Sequence, residues 1–208
     1  DELNKYADLT IYNFTEMTRN IGTFTAAGVD LETSVKSIQG IANLAAVSGS
    51  TSQQASTAMY QLSQALSTGT VRLQDWNSVV NAGMGGKVFQ NALIRTAAML
   101  DGAANDVEAW QKKNVDSFGS FRDSLTQGAW LTTDVLTKTL EQFTMTAEEG
   151  SEEWNNFKKE LMDMGYAEAQ AEEILKMANT ATDAATKVKT FTQLFDTLKE
   201  SAQSGWAQ

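Results

Sequence analysis

The 208-residue sequence contains no cysteine, no histidine and no proline. Without cysteine the chain can form no disulfide, no thiolate metal site and no cysteine nucleophile. Without histidine it lacks Ser-His-Asp and Cys-His catalytic arrangements and the usual ligand sets of zinc peptidases. Without proline, glycine is the one residue type left that regularly ends a helix. These absences favour a nearly all-helical chain and exclude the commonest catalytic and metal chemistries.

Positive charge is scarce, with 16 basic against 26 acidic side chains and a net charge of −10. An acidic surface does not attract DNA or anionic lipid. The simplest interpretation of the charge is solubility. A functional interpretation is that an acidic protein does not adhere to DNA that moves past it. No stretch approaches the ~20 consecutive apolar residues that span a bilayer. We therefore expect no specific nucleic-acid binding and no transmembrane segment in this piece.

Two helices are predicted from residue 30 onwards by apolar residues at helical spacing. Asp30 is the expected N-cap of the first, and Gly49 ends it. Ser50 or Thr51 caps the second, which Gly69 ends. The apolar faces are Leu31, Val35, Ile38, Ala42 and Ala45 in the first helix, and Ala55, Met59, Leu62 and Leu66 in the second.

Two more helices are predicted between Thr70 and Gly102. The third is a short segment that opens at Thr70, and the fourth ends at Gly102. Because each predicted helix has one apolar face that needs a partner, the four together predict a compact bundle. The inward-facing residues are Leu73, Trp76 and Val80 in the third helix, and Val88, Phe89, Ala92, Leu93, Ala97 and Leu100 in the fourth.

The flanking regions also read as helical. Residues 1–27 start with a helical pattern, and Gly22 and Gly28 flank Thr23-Phe24-Thr25, which we expect to be a short extended link. Beyond residue 100 a turn-rich run precedes a helix capped by Ser117 or Ser120 and stopped by Gly128. A further helix is capped by Thr132 or Thr133, another has an acidic first turn after Thr146, and a last helix runs from about Ala184 to Ala202. The predicted fold class is all-α, a compact bundle of roughly eight to ten short helices joined by glycine-containing turns.

A cluster of glycines is the unusual feature of the central stretch. It follows directly on a short polar and aromatic motif. Glycine permits positive φ and close approach of helices, so we expect a helix–helix corner here. The motif and the cluster consist of Asp75, Trp76 and Asn77, followed by Gly83, Gly85 and Gly86.

The run from Gly83 to Lys87 also invites comparison with a phosphate-binding loop. The spacing of that motif is not met, because position 81 is Asn81 and Val88 follows the lysine where a hydroxyl is required. No β-strand pattern precedes the run. We therefore expect no cofactor and no bound metal.

The central stretch resembles a known family. The segments IANLAAVSGST, QLSQALSTGTV, DWNSVVNAGMGGKVFQ, SFRDSL and WLTTDVLTKTLEQFT are similar to the tape-measure domain of tail proteins of long-tailed bacteriophages and prophages. The resemblance is collinear over about residues 30–144. The stretch from Gly165 onwards looks like the downstream continuation in that family.

The resemblance implies a division of the chain and a set of partners. Residues 1–29 are expected to form an N-terminal helix and link, residues 30–145 the tape-measure domain, and residues 146–208 a C-terminal helical subdomain. Tape-measure proteins set the length of the growing tail tube and leave ahead of the genome. The implied partners are tail tube and tail-tip or baseplate proteins, tail assembly chaperones and further copies of the chain. The implied location is the tail lumen or tip, and the host cytoplasm during assembly.

Two alternatives stay open. One is a helical adaptor or protein-binding module without a ruler role. The other is a cell-wall hydrolase, which needs two carboxylates in a cleft. Four glutamates lie close together after Thr146, but on an exposed first turn they indicate a solvated surface, so we predict that the chain is not an enzyme.

The stretch from Met164 to Tyr166 also resembles the first loop of small ubiquitin-associated domains, although a glycine stop before a new helix gives the same string. Because the sequence begins at Asp1 and ends at SGWAQ, we expect it to be a piece of a longer protein.

Overall fold

The computed structural model describes the backbone of residues 14–206 and the side chains of residues 17–187. This part of the chain forms ten α-helices and no β-strand, which confirms the predicted all-α class. Short 3-10 helices precede and follow the sixth helix. The helices are α1 (Phe14–Ala26), α2 (Leu31–Val47), α3 (Ser52–Thr68), α4 (Leu73–Asn81), α5 (Lys87–Leu100), α6 (Val107–Asn114), α7 (Phe121–Gln127), α8 (Thr133–Gln142), α9 (Glu152–Met164) and α10 (Glu168–Trp206).

Side-chain caps begin four helices where the sequence predicts them. Asp30 accepts a hydrogen bond from the Thr33 amide at 2.9 Å, and this contact lowers the pKa of Asp30. Thr51 forms a reciprocal capping box with Gln54 at the start of α3. Ser120 caps α7 by accepting from the Asp123 amide, and Thr132 caps α8 by accepting from the Val135 amide. Each cap satisfies an amide that would otherwise have no partner in the first helical turn.

Helix α2 is the centre of the bundle. It packs against α1 and α3 on one side and against α8 and α10 on the other, so it is buried around most of its circumference. Ile38, Ile41 and Leu44 are fully buried (0% exposed). The first described helix and the last therefore share one central partner.

A buried polar contact joins α2 to the C-terminal part of the chain. The Asn43 side-chain amide donates to the Phe143 carbonyl at 2.9 Å and to the Thr182 hydroxyl at 3.2 Å. On the α8–α9 link, the Ala147 amide donates to Asn179 at 3.1 Å, and the Asn179 amide donates back to the Ala147 carbonyl at 2.9 Å. Because a buried amide without partners is costly, these bonds fix α10 in register on the bundle.

The predicted extended link between Gly22 and Gly28 is wrong. Helix α1 continues through this segment to Ala26, and Phe24 is fully buried. An interior glycine costs a helix only about 1 kcal/mol, which burial of a phenylalanine exceeds. The helix ends before Gly28, whose φ is +97°. The predicted pattern over residues 1–13 lies outside the described residues.

Four of the predicted inward-facing residues are exposed instead. Each occupies one of the first two or last two positions of its helix, beyond the reach of the neighbouring helix. In α4, which begins at residue 73 and not at Thr70, Val79 is buried beside Trp76 in place of the predicted Val80. The exposed residues are Leu31 (64%), Val80 (40%), Val88 (49%) and Leu100 (40%).

The C-terminal helices also differ from the prediction. Helix α9 is capped by Ser151, so its acidic first turn consists of Glu152 and Glu153 alone. Helix α10 is one continuous helix of 39 residues and not two separate helices. No glycine lies between Gly165 and Gly205, so nothing in that stretch ends a helix. The predicted glycine stop before a new helix is confirmed, because Gly165 has a φ of +126° and ends α9.

The buried residues form two clusters. The larger is built from α1 to α8 with part of α10, and the smaller from the α9–α10 region. Met99 and Ala104, which precede residue 145, belong to the smaller cluster. The division into segments at 29/30 and 145/146 stays a prediction. Among the described residues, no helix combines the length and apolarity needed to cross a bilayer.

Candidate functional site

The predicted motif lies in α4 and in the corner that joins α4 to α5. Asp75 is in the first turn of α4, where its carboxylate accepts a hydrogen bond from the Arg72 amide at 3.0 Å. This bond satisfies an amide at the helix start, and Asp75 is 8% exposed. Asp75 therefore serves to begin the helix.

Trp76 lies in the middle of the larger hydrophobic cluster and is 1% exposed. Its ring centroid is 4.7 Å from that of Phe121 on α7 and 5.7 Å from that of Phe89 on α5. Tilted and edge-on ring pairs at these separations are favourable beyond the apolar area that they bury. The contacts form one row of rings: Trp110, Trp130, Phe121, Trp76, Phe89 and Phe143.

Gly83 ends α4 through a Schellman turn. The Met84 amide donates to the Val79 carbonyl at 3.0 Å, the Gly83 amide donates to the Val80 carbonyl at 2.9 Å, and Gly83 has a φ of +79°. Met84, 1% exposed, supplies the apolar contact that accompanies such turns. The Ser50 hydroxyl donates to the Ala82 carbonyl at 2.5 Å and ties this corner to the α2–α3 link.

The other two glycines of the cluster have different roles. A Cβ on Gly85 would lie 2.6 Å from Cγ2 of Val80, so the corner requires glycine there. Gly86 is the N-cap of α5 with a φ of −75°, and a Cβ there meets nothing within 4 Å. Nothing in the structure requires glycine at position 86. A helix and not a strand precedes this corner, which is the wrong context for a phosphate-binding loop.

Asn77 is the member of the motif that reaches the surface. Its side-chain oxygen accepts a hydrogen bond from the guanidinium of Arg122 on α7. Arg122 is not singled out by the sequence, because nothing in a separation of 45 residues signals the contact.

Asn77 also lines a groove between α4 and α7, which we call the α4–α7 groove. Its volume is about 480 Å³. An isolated antiparallel bridge between Thr70 and Thr132 lies at one end of it, with the Val71 amide donating to the Leu131 carbonyl at 2.8 Å. This bridge holds the links before α4 and α8 together. The groove is lined by Thr70, Arg72, Leu73, Gln74, Asn77, Leu125, Thr126 and Ala129.

A second polar cluster is buried between α5, α8 and the start of α10. The Gln142 amide donates to the Tyr166 hydroxyl at 2.7 Å, and that hydroxyl donates to the Thr96 hydroxyl at 3.3 Å. Burial raises the pKa of Tyr166, although its hydrogen bonds to Thr96 and Gln142 oppose the shift. Burial likewise lowers the pKa of Arg95, against the opposing charge of Glu173, whose carboxylate lies 3.6 Å away.

These groups hold the helices together through their hydrogen bonds and ion pairs. Tyr166 is buried and hydrogen-bonded within the fold, Arg95 is half-buried and paired with Glu173, and the glutamates at 148, 149, 152 and 153 are all exposed. In the part of the chain that the structure describes, no three acidic residues converge as a metal site would require. The arrangement serves the packing of a helical module.

Fold and motif thus define a helical structural module. The family model described as "Tape measure protein" matches residues 1–150, well over half of the chain, and the chain belongs to this family of phage tail proteins. The matched segment includes the predicted N-terminal helix and link as well as residues 30–145. Searches of curated proteins and of solved structures gave no significant match. The predicted family and the helical, structural character of the chain are confirmed.

Proposed function

We propose that this chain is a folded module of a tail tape-measure protein, which helps to set tail length during assembly and leaves ahead of the DNA. The observation that carries the proposal is the change of architecture along a chain of this family. The glycine-cornered bundle takes in the first part of α10, which packs on α2, and α10 itself is a helix of 39 residues with no glycine between Gly165 and Gly205.

The two parts relate differently to length. A helix advances ~1.5 Å per residue, so α10 spans roughly 58 Å and every added residue extends it. In the bundle, the consecutive helices α1, α2 and α3 fold back on one another. Residues added to the links between them would enlarge loops and would not lengthen the molecule. The bundle is therefore the fixed end of the ruler, and continuous helix is its graduated part.

An insertion experiment in the parent virus or prophage tests this assignment. A helical insert of about 28 residues after Lys187 adds roughly 42 Å of helix, and we expect tails longer by a similar amount in electron micrographs. The matched control places the same insert after Gly150, in the exposed turn before α9. Tails of the control should keep their length. Equal lengthening by both inserts would contradict the division into a fixed and a graduated part.

We also propose that the α4–α7 groove contacts a tail-tip protein or an assembly chaperone. Its lining is mixed, with apolar Leu73 and Leu125 beside Arg72 and Asn77, which suits a partner segment with both apolar and polar side chains. Because rows of packed rings hold α4 and α7, the groove is rigid and costs little to organise for binding. The module would then lie in the tail lumen or at its tip, and in the host cytoplasm during assembly.

A pair of matched threonine variants tests the groove. Thr126→Arg places a long side chain across it, whereas Thr180→Arg changes another exposed threonine, on α10. Co-purification of the chain with the tail-tip proteins and chaperones of its own virus should be lost for Thr126→Arg only. Retained binding by both variants would remove the groove from the proposal. If binding depends on Thr126 while the Lys187 insert leaves tail length unchanged, the adaptor without a ruler role is the better function.

A further inference from the structure

The α4–α7 groove is basic, although the protein as a whole is acidic, with 26 acidic against 16 basic side chains. Arg72, the N-cap of α4, is exposed and is the one charged residue among the described residues that line the groove. A second arginine, Arg122 of α7, reaches the groove through the hydrogen bond that its guanidinium donates to Asn77. The groove therefore concentrates positive charge on an acidic molecule.

The two arginines lie toward opposite ends of the groove. The isolated β-bridge joins the link before α4 to the link after α7, and the Asn77–Arg122 bond joins the helices further along, so α4 and α7 run antiparallel. Arg122 precedes Thr126 by four residues, which places both on the face of α7 that lines the groove. Arg72 lies five residues before Asn77, or roughly 7.5 Å along the axis of α4.

Neither arginine is neutralised by an acid of the described chain. The acids next to them in sequence serve to begin helices, since the Asp75 carboxylate accepts from the Arg72 backbone amide and the Asp123 carboxylate accepts from the Ser120 hydroxyl at 3.0 Å. Among the residues whose side chains the structure describes, neither Arg72 nor Arg122 forms an ion pair. The basic residues that do so are Lys36, Arg95, Lys112, Lys138 and Lys158.

From these two arginines we infer, on the basis of the function proposed for the groove, that its partner is an acidic protein segment whose carboxylates bind Arg72 and Arg122. A guanidinium offers five N–H donors in a planar fork that matches the two oxygens of a carboxylate. The start of α4, which is the positive end of its helix dipole, lies in the same groove and favours a negative charge there.

The groove is also prepared for such a partner. The bond to Asn77 uses one donor of Arg122 and holds the side chain in place, so that less side-chain freedom is lost when a carboxylate binds. Leu73 and Leu125 supply an apolar wall, which suits the carbon atoms of a protein segment. A nucleic-acid strand fits less well, because its continuous negative charge is repelled by the acidic surface around the groove.

Charge reversal of both arginines tests the inference. The measurement is the affinity of the chain for the tail-tip protein or chaperone that co-purifies with the natural chain. Arg72→Glu with Arg122→Glu should weaken binding at least about tenfold. Lys113→Glu with Lys176→Glu, two exposed lysines on α6 and α10, changes the net charge equally and should leave the affinity unchanged. Circular dichroism checks that both variants keep the helical fold.

An isosteric pair provides a milder test. Asn77→Asp keeps the contact with Arg122 but gives that arginine a carboxylate partner within the chain, and it should weaken binding at least about threefold. Asn81→Asp, at the exposed last residue of α4, adds the same charge outside the groove and is the control. Equal affinities of the two variants would contradict a role for the charge of Arg122.

Substitutions in the partner complete the test. Lysines in place of the partner's carboxylates should abolish binding to the natural chain and restore binding to the variant with Arg72→Glu and Arg122→Glu, which a merely structural role of the arginines would not produce. If Thr126→Arg blocks binding while the arginine variants bind normally, the groove has a partner of other chemistry and the inference fails alone. If all of these variants bind normally, the groove itself is not the contact. Binding of a duplex DNA oligonucleotide that both arginine substitutions abolish would replace the acidic segment by a phosphate backbone and overturn the inference.

Discussion

Gly40 of α2 lies directly against the backbone of Leu140 in α8. A Cβ at position 40 would come within 2.0 Å of the Leu140 carbonyl oxygen and 2.7 Å of its carbonyl carbon. Two helices can approach this closely only where one of them lacks a side chain. The contact lies next to the buried core of α2, so the packing of α2 against α8 depends on it.

We expect Gly40→Ala to destabilise the fold by about 1–3 kcal/mol or more, because the clash is with backbone and no rotamer relieves it. The matched control is Gly22→Ala in α1, where a Cβ meets nothing within 4 Å. There the better helix propensity of alanine should stabilise the protein by about 0.5–1 kcal/mol. Urea unfolding followed by circular dichroism measures both changes. If Gly40→Ala did not destabilise the protein relative to Gly22→Ala, the close approach of α2 and α8 would be contradicted.

Trp76→Ala should cost about 3–5 kcal/mol of unfolding free energy, as expected when a buried aromatic side chain is removed. The substitution empties the centre of the row of rings and leaves Phe89 and Phe121 without their shared neighbour. Leu31→Ala is the control, since Leu31 is 64% exposed and should change stability by less than about 0.5 kcal/mol. An unchanged thermal midpoint for Trp76→Ala would show that this tryptophan is available for partner contact.

The glycine corner gives a double-mutant test. Gly85→Ala should destabilise because its Cβ would contact Val80 Cγ2 at 2.6 Å. Val80→Ala removes that methyl group from a residue that is 40% exposed, and it should partly rescue Gly85→Ala while having little effect alone. A coupling energy of about 0.5 kcal/mol or more is expected from chemical denaturation. Gly86→Ala, which meets no atom, is the neutral reference; additive effects would place the strain elsewhere.

Glu141 makes stability depend on pH. Burial raises the pKa of Glu141, and the charges of Lys36 and Lys138 only partly oppose the shift. The folded state therefore keeps this proton to higher pH than the unfolded state does. Stability falls as pH rises from the unfolded pKa through the raised folded pKa, and the penalty is complete above it.

We expect Glu141→Gln to raise the thermal midpoint at neutral pH and to flatten its dependence on pH in the mildly acidic range. At lower pH, where Glu141 is protonated in both states, the variant and the natural protein should converge. Glu149→Gln, at an exposed position before α9, serves as the control and should follow the natural curve. A variant that loses stability at neutral pH would show that the carboxylate is held by its lysine neighbours.

The helices and their starts were predictable from local signals. Asp30 and Thr51 have the side chains that cap a first turn, and the missing prolines left little else to end a helix. The error at Phe24 arose because glycine was read as a break, whereas tertiary burial outweighed its low propensity. The length of α10 was missed for the converse reason: its stretch lacks a stop, and periodic faces alone do not mark a boundary.

The candidate site was predictable in part. Gly83 and Gly85 at a helix corner follow from the conformational freedom of glycine. The partner of Asn77 was not predictable, since Arg122 reaches it from another helix through the fold alone. That the motif from Asp75 to Gly86 serves partner recognition is a prediction.

The position of α10 along α2 sets an order in which the molecule comes apart under load. A tension applied to the C-terminal end of α10 reaches the Asn43–Thr182 and Ala147–Asn179 bonds before any contact of Trp76. Peeling α10 away uncovers one flank of α2, while the ring stack and the Gly40–Leu140 crossing still hold. We therefore expect extension from that end to unfold the molecule in steps. Helix α10 detaches first, and the row of rings around Trp76 separates last.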